Sequence, residues 1–212
     1  IQHIIKQRYF EEEISNEVNL SYSDNQVTVT TDYLTLVYTL NSEGYASQCV
    51  YSLSSQNRIY QFSYSAEGYL TGIVENIDNR EYSSTSLTYE NGDITSISSK
   101  MNGLENKFIY EPGEESSTYH LPCLGLLEIH PLTFHIEALY AGLLGKDPRH
   151  FTIRSCPAGS NDEKTVYSYG FDKKGNPSRM ICQTTYAGGQ ASYYPYTRNI
   201  CLLYTSDAAD DL

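Results

Sequence analysis

The stretch that decides the fold is YSAEGYLTGI, residues 64–73, because it recurs along the chain at a nearly fixed spacing. Related segments are LNSEGYASQC at 40–49, YENGDITSI at 89–97 and FDKKGNPSRM at 171–180, and Gly44, Gly68 and Gly92 lie 24 residues apart. In each copy a bulky residue and a few polar residues precede a glycine. Because glycine readily adopts the positive φ that tight turns between antiparallel strands require, the repeat predicts a series of β-hairpins.

The segments that flank these turns alternate bulky and polar residues with a period of two, as strands with one buried face do. The bulky sets are Leu34, Leu36, Tyr38 and Leu40, then Tyr60, Phe62 and Tyr64, then Tyr167, Tyr169 and Phe171. Each predicted turn joins two strands, which gives roughly ten or more strands in total. An open sheet of that many strands is expected to curl or close. We therefore predict an all-β fold, one large curved antiparallel meander, barrel-like or open.

One segment departs from this period. Between Pro131 and Leu144 the apolar residues recur at helical offsets, which predicts one amphipathic helix at about 131–144. Proline suits the first turn of a helix, and Gly145 with Lys146 suits its C-terminal end. The stripe consists of Leu132, Ile136, Leu139, Tyr140 and Leu143. Such a stripe needs an apolar partner, and the concave face of the curled sheet is the expected one.

Composition limits the partners. The 212-residue chain has 21 Tyr, no Trp and a formal net charge of −12, and its 14 Lys and Arg form no run. This balance argues against a nucleic-acid partner, which needs clustered basic residues. No stretch approaches 18 uninterrupted apolar residues, so we expect no transmembrane segment.

Four motifs together resemble a Bacteroidales family of unknown function described as having a porin-like fold. These are the two turn segments at 64–73 and 87–97, the sequence GLLGK at 142–146, and FDKKGNP at 171–177. The hairpin motif by itself is shared with the YD repeats of Rhs-type shell proteins. The resemblance implies a secreted envelope lipoprotein in the periplasm or at the outer-membrane surface. The lipidated N-terminal Cys of that family does not occur in this sequence, so we expect the lipoprotein signal, and with it a lipid anchor, in the full-length protein.

The last residues look foreign. Residues 201–212 read as the translation of a transposon-end adaptor used in sequencing libraries. We therefore expect a single repetitive β domain over 1–200, itself a fragment, followed by a non-native tail over 201–212.

No catalytic constellation is evident, and the resemblance supplies no catalytic residue, so we do not expect an enzyme. The function that remains is a non-enzymatic envelope module that binds an unknown glycan or envelope protein. The alternative is a hydrolase whose site is assembled near the helix from Glu128, His130, His135 and Glu137. His130 and His135 are five apart, which would not place them on one face of a helix.

Cofactors and metals are not expected. The five cysteines, Cys49, Cys123, Cys156, Cys182 and Cys201, lack the CxxC spacing of zinc sites and are read as isolated thiols, with a Cys123–Cys156 disulfide left open. The tyrosines are read mainly as sheet-packing residues. The best candidates for an exposed ligand face are Tyr193, Tyr194 and Tyr196, where Pro195 disfavours a central strand.

Overall fold

The computed structural model describes residues 2–9, 12–31, 34–53, 56–116, 129–160, 162–171, 173, 177–188 and 196–199. The first ten strands are β1 (Gln2–Tyr9), β2 (Glu12–Ser23), β3 (Gln26–Thr30), β4 (Thr35–Leu40), β5 (Ala46–Leu53), β6 (Gln56–Tyr64), β7 (Leu70–Ile77), β8 (Arg80–Glu90), β9 (Asp93–Met101) and β10 (Leu104–Ser116). A 3-10 helix (Leu132–Phe134) and helix α1 (Ile136–Tyr140) precede β11 (His150–Pro157), β12 (Lys164–Phe171), β13 (Pro177–Thr185) and β14 (Tyr196–Asn199).

All fourteen strands form one sheet in sequence order, each antiparallel to the next. A flat sheet of this width would separate its edge strands by about 60 Å, at about 4.8 Å per strand. Instead, Cα atoms of β1 and β14 approach within 8 Å, so the sheet curls strongly. No ladder joins these two strands among the described residues, and the sheet is therefore open. The predicted all-β antiparallel meander is confirmed.

The predicted hairpin turns are confirmed at Gly44, Gly68 and Gly92, where φ is 85°, 90° and 89°. The last of these belongs to a two-residue turn in which Asn91 also has a positive φ, 54°. Asn102 and Gly103 repeat that conformation between β9 and β10, with φ of 51° and 78°. Positive φ at both central residues is typical of the hairpin turn that asparagine and glycine favour.

The core lies on the inner face of the curled sheet. Leu36, Tyr38, Tyr60, Phe62 and Ile73 are each no more than 7% exposed, and they stand at the inward positions that the two-residue period predicts. Register pairing keeps them in neighbouring positions across strands, as for Phe62 and Ile73.

The helical segment is shorter than predicted. Residues 129–149, which we call the insert, contain the 3-10 helix and the five-residue α1 in place of one helix over 131–144. His135 separates the two with φ −125° and ψ 26°, which is not helical, while its side chain is fully buried. The apolar stripe nevertheless faces the sheet, because Leu132, Leu139 and Leu143 are buried at 0%, 8% and 5% exposure.

The end of the insert runs across the hairpin turns. Leu143 O accepts from Ala46 N at 2.7 Å, Lys146 N donates to Gly68 O at 2.9 Å, and Arg149 N donates to Gly92 O at 3.1 Å. Three residues of extended chain cover about 10 Å, which equals two strand spacings, or one hairpin. The insert is therefore in register with the 24-residue repeat, three insert residues to each hairpin.

The cysteines behave as small apolar residues where they are described. Cys49 and Cys182 are buried, Cys156 forms no disulfide with a described residue, and Cys123 and Cys201 lie outside the described residues, so a Cys123–Cys156 disulfide stays open. Burial raises the pKa of the Cys49 thiol to about 12. Residues 201–212 also lie outside the described residues, so the expected foreign tail stays a prediction. No helix in the described ranges is long and apolar enough to cross a bilayer.

Candidate functional site

The inner face changes character across the sheet. Strands β4–β8, which we call the covered half, contact the insert, and β9–β12, which we call the open half, line a cavity. One inward row shows the change: Phe62 pairs with Ile73, Ile73 with Thr85, Thr85 with Ser99, and Ser99 with Asn106. The row thus turns from apolar to polar at Thr85 and Ser99, whose hydroxyls donate to the carbonyl oxygen of His130 at the start of the insert.

A cavity of about 390 Å³ lies over the open half, bounded on one side by the start of the insert. Its volume falls within the range of about 300–1,000 Å³ usual for small-molecule sites. The lining residues are Ser99, Met101, Asn102, Leu104, Asn106, Phe108, Tyr110, Ile129, His130, Ser155, Thr165 and Tyr167.

The cavity presents hydroxyl, amide and aromatic groups. None of its described lining residues is Lys, Arg, Asp or Glu, and His130 is the one histidine among them. Some hydroxyls are held in place by the sheet: Ser155 Oγ lies 2.9 Å from Tyr167 Oη, and Thr165 Oγ1 lies 3.0 Å from Thr184 Oγ1. The arrangement is suited to a neutral ligand rich in hydroxyl groups, because the serine, threonine, tyrosine and asparagine side chains of the lining can both donate to and accept from a hydroxyl.

Behind His130 lies a buried carboxylate. Glu75, on β7, is 0% exposed, and its Oε2 lies 2.6 Å from His130 Nε2. Ser83 Oγ donates to the same oxygen at 2.8 Å, and Arg58 Nη1 donates to Oε1 at 3.1 Å. These groups meet because they occupy inward positions on three neighbouring strands. Glu75 is paired with Ser83 on β8 and with Tyr60 on β6. Arg58 lies two residues before Tyr60 and therefore points to the same face of β6.

The carboxyl group of Glu75 is held ionised. Burial acts to raise its pKa, but hydrogen bonds from His130 and Ser83, together with electrostatic interactions with His130 and Arg58, outweigh burial and lower the pKa below its usual value. A buried carboxylate without such partners would be costly. Glu75 is therefore a carboxylate that accepts hydrogen bonds from two neighbouring strands, β6 and β8, and from the insert.

His135 belongs to the core. Its Nδ1 lies 2.8 Å from Tyr38 Oη, and the Tyr60 and Phe62 rings pack edge-on at centroid distances of 4.4 and 5.3 Å. Burial lowers the pKa of His135 to about 3, so the ring is neutral at neutral pH. Its Nε2 is buried and has no hydrogen-bond partner among the residues that the structure describes.

The structure does not bring the described residues of the hydrolase alternative into one pocket. Of the described members, His130 lines the cavity, His135 lies in the core, and Glu137 lies half-buried on α1, where burial raises its pKa. Glu128 lies outside the described residues, as do Tyr193 and Tyr194 and the side chain of Tyr196. The predicted ligand face therefore stays a prediction.

Sequence reasoning missed Glu75 and Arg58, although each carried a signal. In β7 the inward phase reads Ile73, Glu75, Ile77, and in β6 Arg58 shares the phase of Tyr60. A charged residue at an inward position of an alternating strand indicates a buried polar partner, because unpaired buried charges are rare.

The fold and site together define a curled, open antiparallel sheet with a cavity on its inner face, and no cluster of three metal-ligating side chains occurs in the described ranges. The chain belongs to a family of domains of unknown function with a porin-like fold, whose sequence profile matches residues 1–179. A porin-like protein from Bacteroides uniformis has a similar crystal structure, with a TM-score of 0.80 and 25% identity. The alignment covers 93% of this chain and 83% of that one. No curated protein matches the chain.

Proposed function

We infer that the chain is a non-enzymatic binding module of the cell envelope whose cavity over the open half binds a neutral glycan. The cavity lining supports this inference, because it combines hydroxyl and amide groups with aromatic side chains and contains no Lys, Arg, Asp or Glu among the described residues. A sugar ring offers hydroxyls at its edge and C–H groups on its faces. Tyrosine and phenylalanine provide large apolar faces for the latter.

The charge of the whole chain favours a neutral sugar over an acidic one. At a formal net charge of −12 the protein repels anions at long range, and the cavity provides no Lys or Arg to compensate. An envelope location is the setting that the family resemblance implies. Fractionation of cells that express the full-length gene product tests that location, and recovery in the cytoplasm would contradict it.

Screening on an array of neutral oligosaccharides, followed by calorimetry at neutral pH, tests the function. Asn106 is an exposed cavity residue, and we expect Asn106→Ala to weaken binding at least fivefold, about the loss of one neutral hydrogen bond. Asn57→Ala is the matched control, because Asn57 is also an exposed asparagine, on β6 and outside the cavity lining.

Absence of binding to every neutral oligosaccharide would refute the proposal. Binding that both variants weaken equally, or neither weakens, would place the ligand elsewhere on the molecule. Capture of a defined envelope protein that competes with no saccharide would favour the protein-binding alternative instead.

A further inference from the structure

We propose that His130 is the residue that selects the ligand of the cavity, offering Nδ1 as a hydrogen-bond acceptor to a ligand hydroxyl while Glu75 fixes its orientation and tautomer. This inference rests on the proposed function and identifies the group within the cavity that recognises the ligand.

The geometry fixes one edge of the His130 ring. Nε2 lies 2.6 Å from Glu75 Oε2, and the ring packs edge-to-face against Phe134 and Tyr82 at centroid distances of 5.7 and 6.1 Å. The backbone carbonyl oxygen of His130 accepts hydrogen bonds from the hydroxyls of Thr85 and Ser99 at 3.2 and 3.3 Å. The side chain is still 28% exposed and forms part of the cavity wall. Backbone and ring are thus both anchored, while part of the ring stays accessible.

The tautomer follows from the charge on Glu75. An ionised carboxylate can only accept, so Nε2 must carry the proton that it donates to Glu75. A neutral imidazole has one N–H, which leaves a lone pair on Nδ1. Among the described residues none is hydrogen-bonded to Nδ1, so this acceptor is available to a ligand.

The neighbouring groups preserve this arrangement. Glu75 on β7 is further held by Ser83 from β8 and Arg58 from β6, which both donate to its carboxylate. Among the described residues, the other titratable groups near the pair include Tyr60, Tyr82 and His135, of which His135 is uncharged at neutral pH. The carboxylate orients the imidazole as the acidic partner of a catalytic histidine does, but here the ring faces a binding cavity.

Nitrogen-15 NMR of the histidine rings in the folded chain at neutral pH tests the tautomer without any ligand. We expect His130 to be protonated at Nε2 and unprotonated at Nδ1. Glu75→Gln should give a mixture of tautomers, because an amide can donate as well as accept, whereas Ser83→Ala should keep the wild-type tautomer. A ring protonated at Nδ1 in the wild type would overturn the inference whether or not the variants fold.

Binding of deoxy analogues tests the selection. Once an oligosaccharide binds, removal of the hydroxyl that meets Nδ1 should weaken binding to the wild type about tenfold and leave binding to His130→Phe unchanged. If every deoxy analogue affects the wild type and His130→Phe equally, His130 does not select the ligand. If no oligosaccharide binds but the tautomer is as expected, the proposed function fails and the ligand part of this inference falls with it. Cleavage of the saccharide by the wild type but not by His130→Phe would make the pair catalytic and overturn a binding role.

Discussion

The covered and open halves are built from the same hairpin repeat but differ in what fills the space inside them. In the covered half the inward positions hold large rings, such as Tyr38, Tyr60 and Phe62, which close over the insert. In the open half the inward positions include Ser99 and Asn106, which leave a cavity. The same hairpin backbone is thus compatible with either kind of interior. The volume and polarity of the side chains at inward positions decide whether a packed core or a cavity forms.

The sharpest test of this contrast is the same substitution in each half. Leu132 is 0% exposed under the covered half, and Leu104 is 73% exposed at the cavity of the open half. We expect Leu132→Ala to lower the free energy of unfolding by about 2–5 kcal/mol through lost burial and a cavity. Leu104→Ala should change it by less than about 0.5 kcal/mol. Urea unfolding followed by circular dichroism measures both, and comparable losses would show that Leu104 is packed in the folded protein and does not lie exposed at the cavity.

A second pair compares the hairpin turns of the two halves. A Cβ at Gly92 would meet Tyr69 Oη at 2.7 Å and Arg149 Cδ at 2.9 Å, whereas one at Gly103 would meet nothing within 4 Å. Both glycines have positive φ, so alanine should cost about 1–2 kcal/mol at Gly103. At Gly92 the clash with the insert should raise the total to about 2–4 kcal/mol. Equal effects on the midpoint of thermal unfolding would mean that the insert yields without cost at this turn.

The sequence predicted the sheet because its signals are local. A glycine that needs positive φ and a strict two-residue alternation depend on neighbouring residues alone, and both recur at Gly44, Gly68 and Gly92. The insert was predicted less well, since His135 leaves helical geometry to reach Tyr38, 97 positions away in sequence. No local pattern contains that contact.

The site was harder still to predict, because its members are far apart in the chain. His130 and Glu75 are 55 positions apart, and sequence spacing gave no reason to join them. The sequence alternation predicts that Glu75 lies at an inward position of β7, but it does not predict that His130 is its partner. The cavity depends on the mutual register of β9–β12, which only the folded sheet sets.

The pH dependence of stability provides a further test of the covered half, because His135 is buried there. Unfolded His135 takes up a proton as pH falls below about 6.5, whereas the folded, buried ring does so near pH 3, so protonation favours the unfolded chain between these values. Stability from this residue should fall by about 1.4 kcal/mol per pH unit in that window. Glu75, whose pKa is lowered, adds its own loss only below about pH 4.5.

Denaturant titrations from pH 4.5 to 8 should therefore show a shallower slope for His135→Phe than for the wild type. Above pH 6.5 the two proteins should differ by a constant offset, which serves as the internal control. Parallel curves across the whole range would show that His135 is not held neutral in the folded core.

The smallest effect is expected at Asn106, and that is what makes the variant useful. The side chain is exposed at the cavity and is not part of the core, so Asn106→Ala should change the free energy of unfolding by less than about 0.5 kcal/mol. Asn57→Ala, on the outer face of β6, should behave in the same way in urea unfolding. Because neither variant alters the fold, a loss of saccharide binding by Asn106→Ala alone reports on the cavity directly. A stability loss above about 1 kcal/mol would instead mean that Asn106 supports the sheet, and the open half would then be held together by its polar row as the covered half is by its rings.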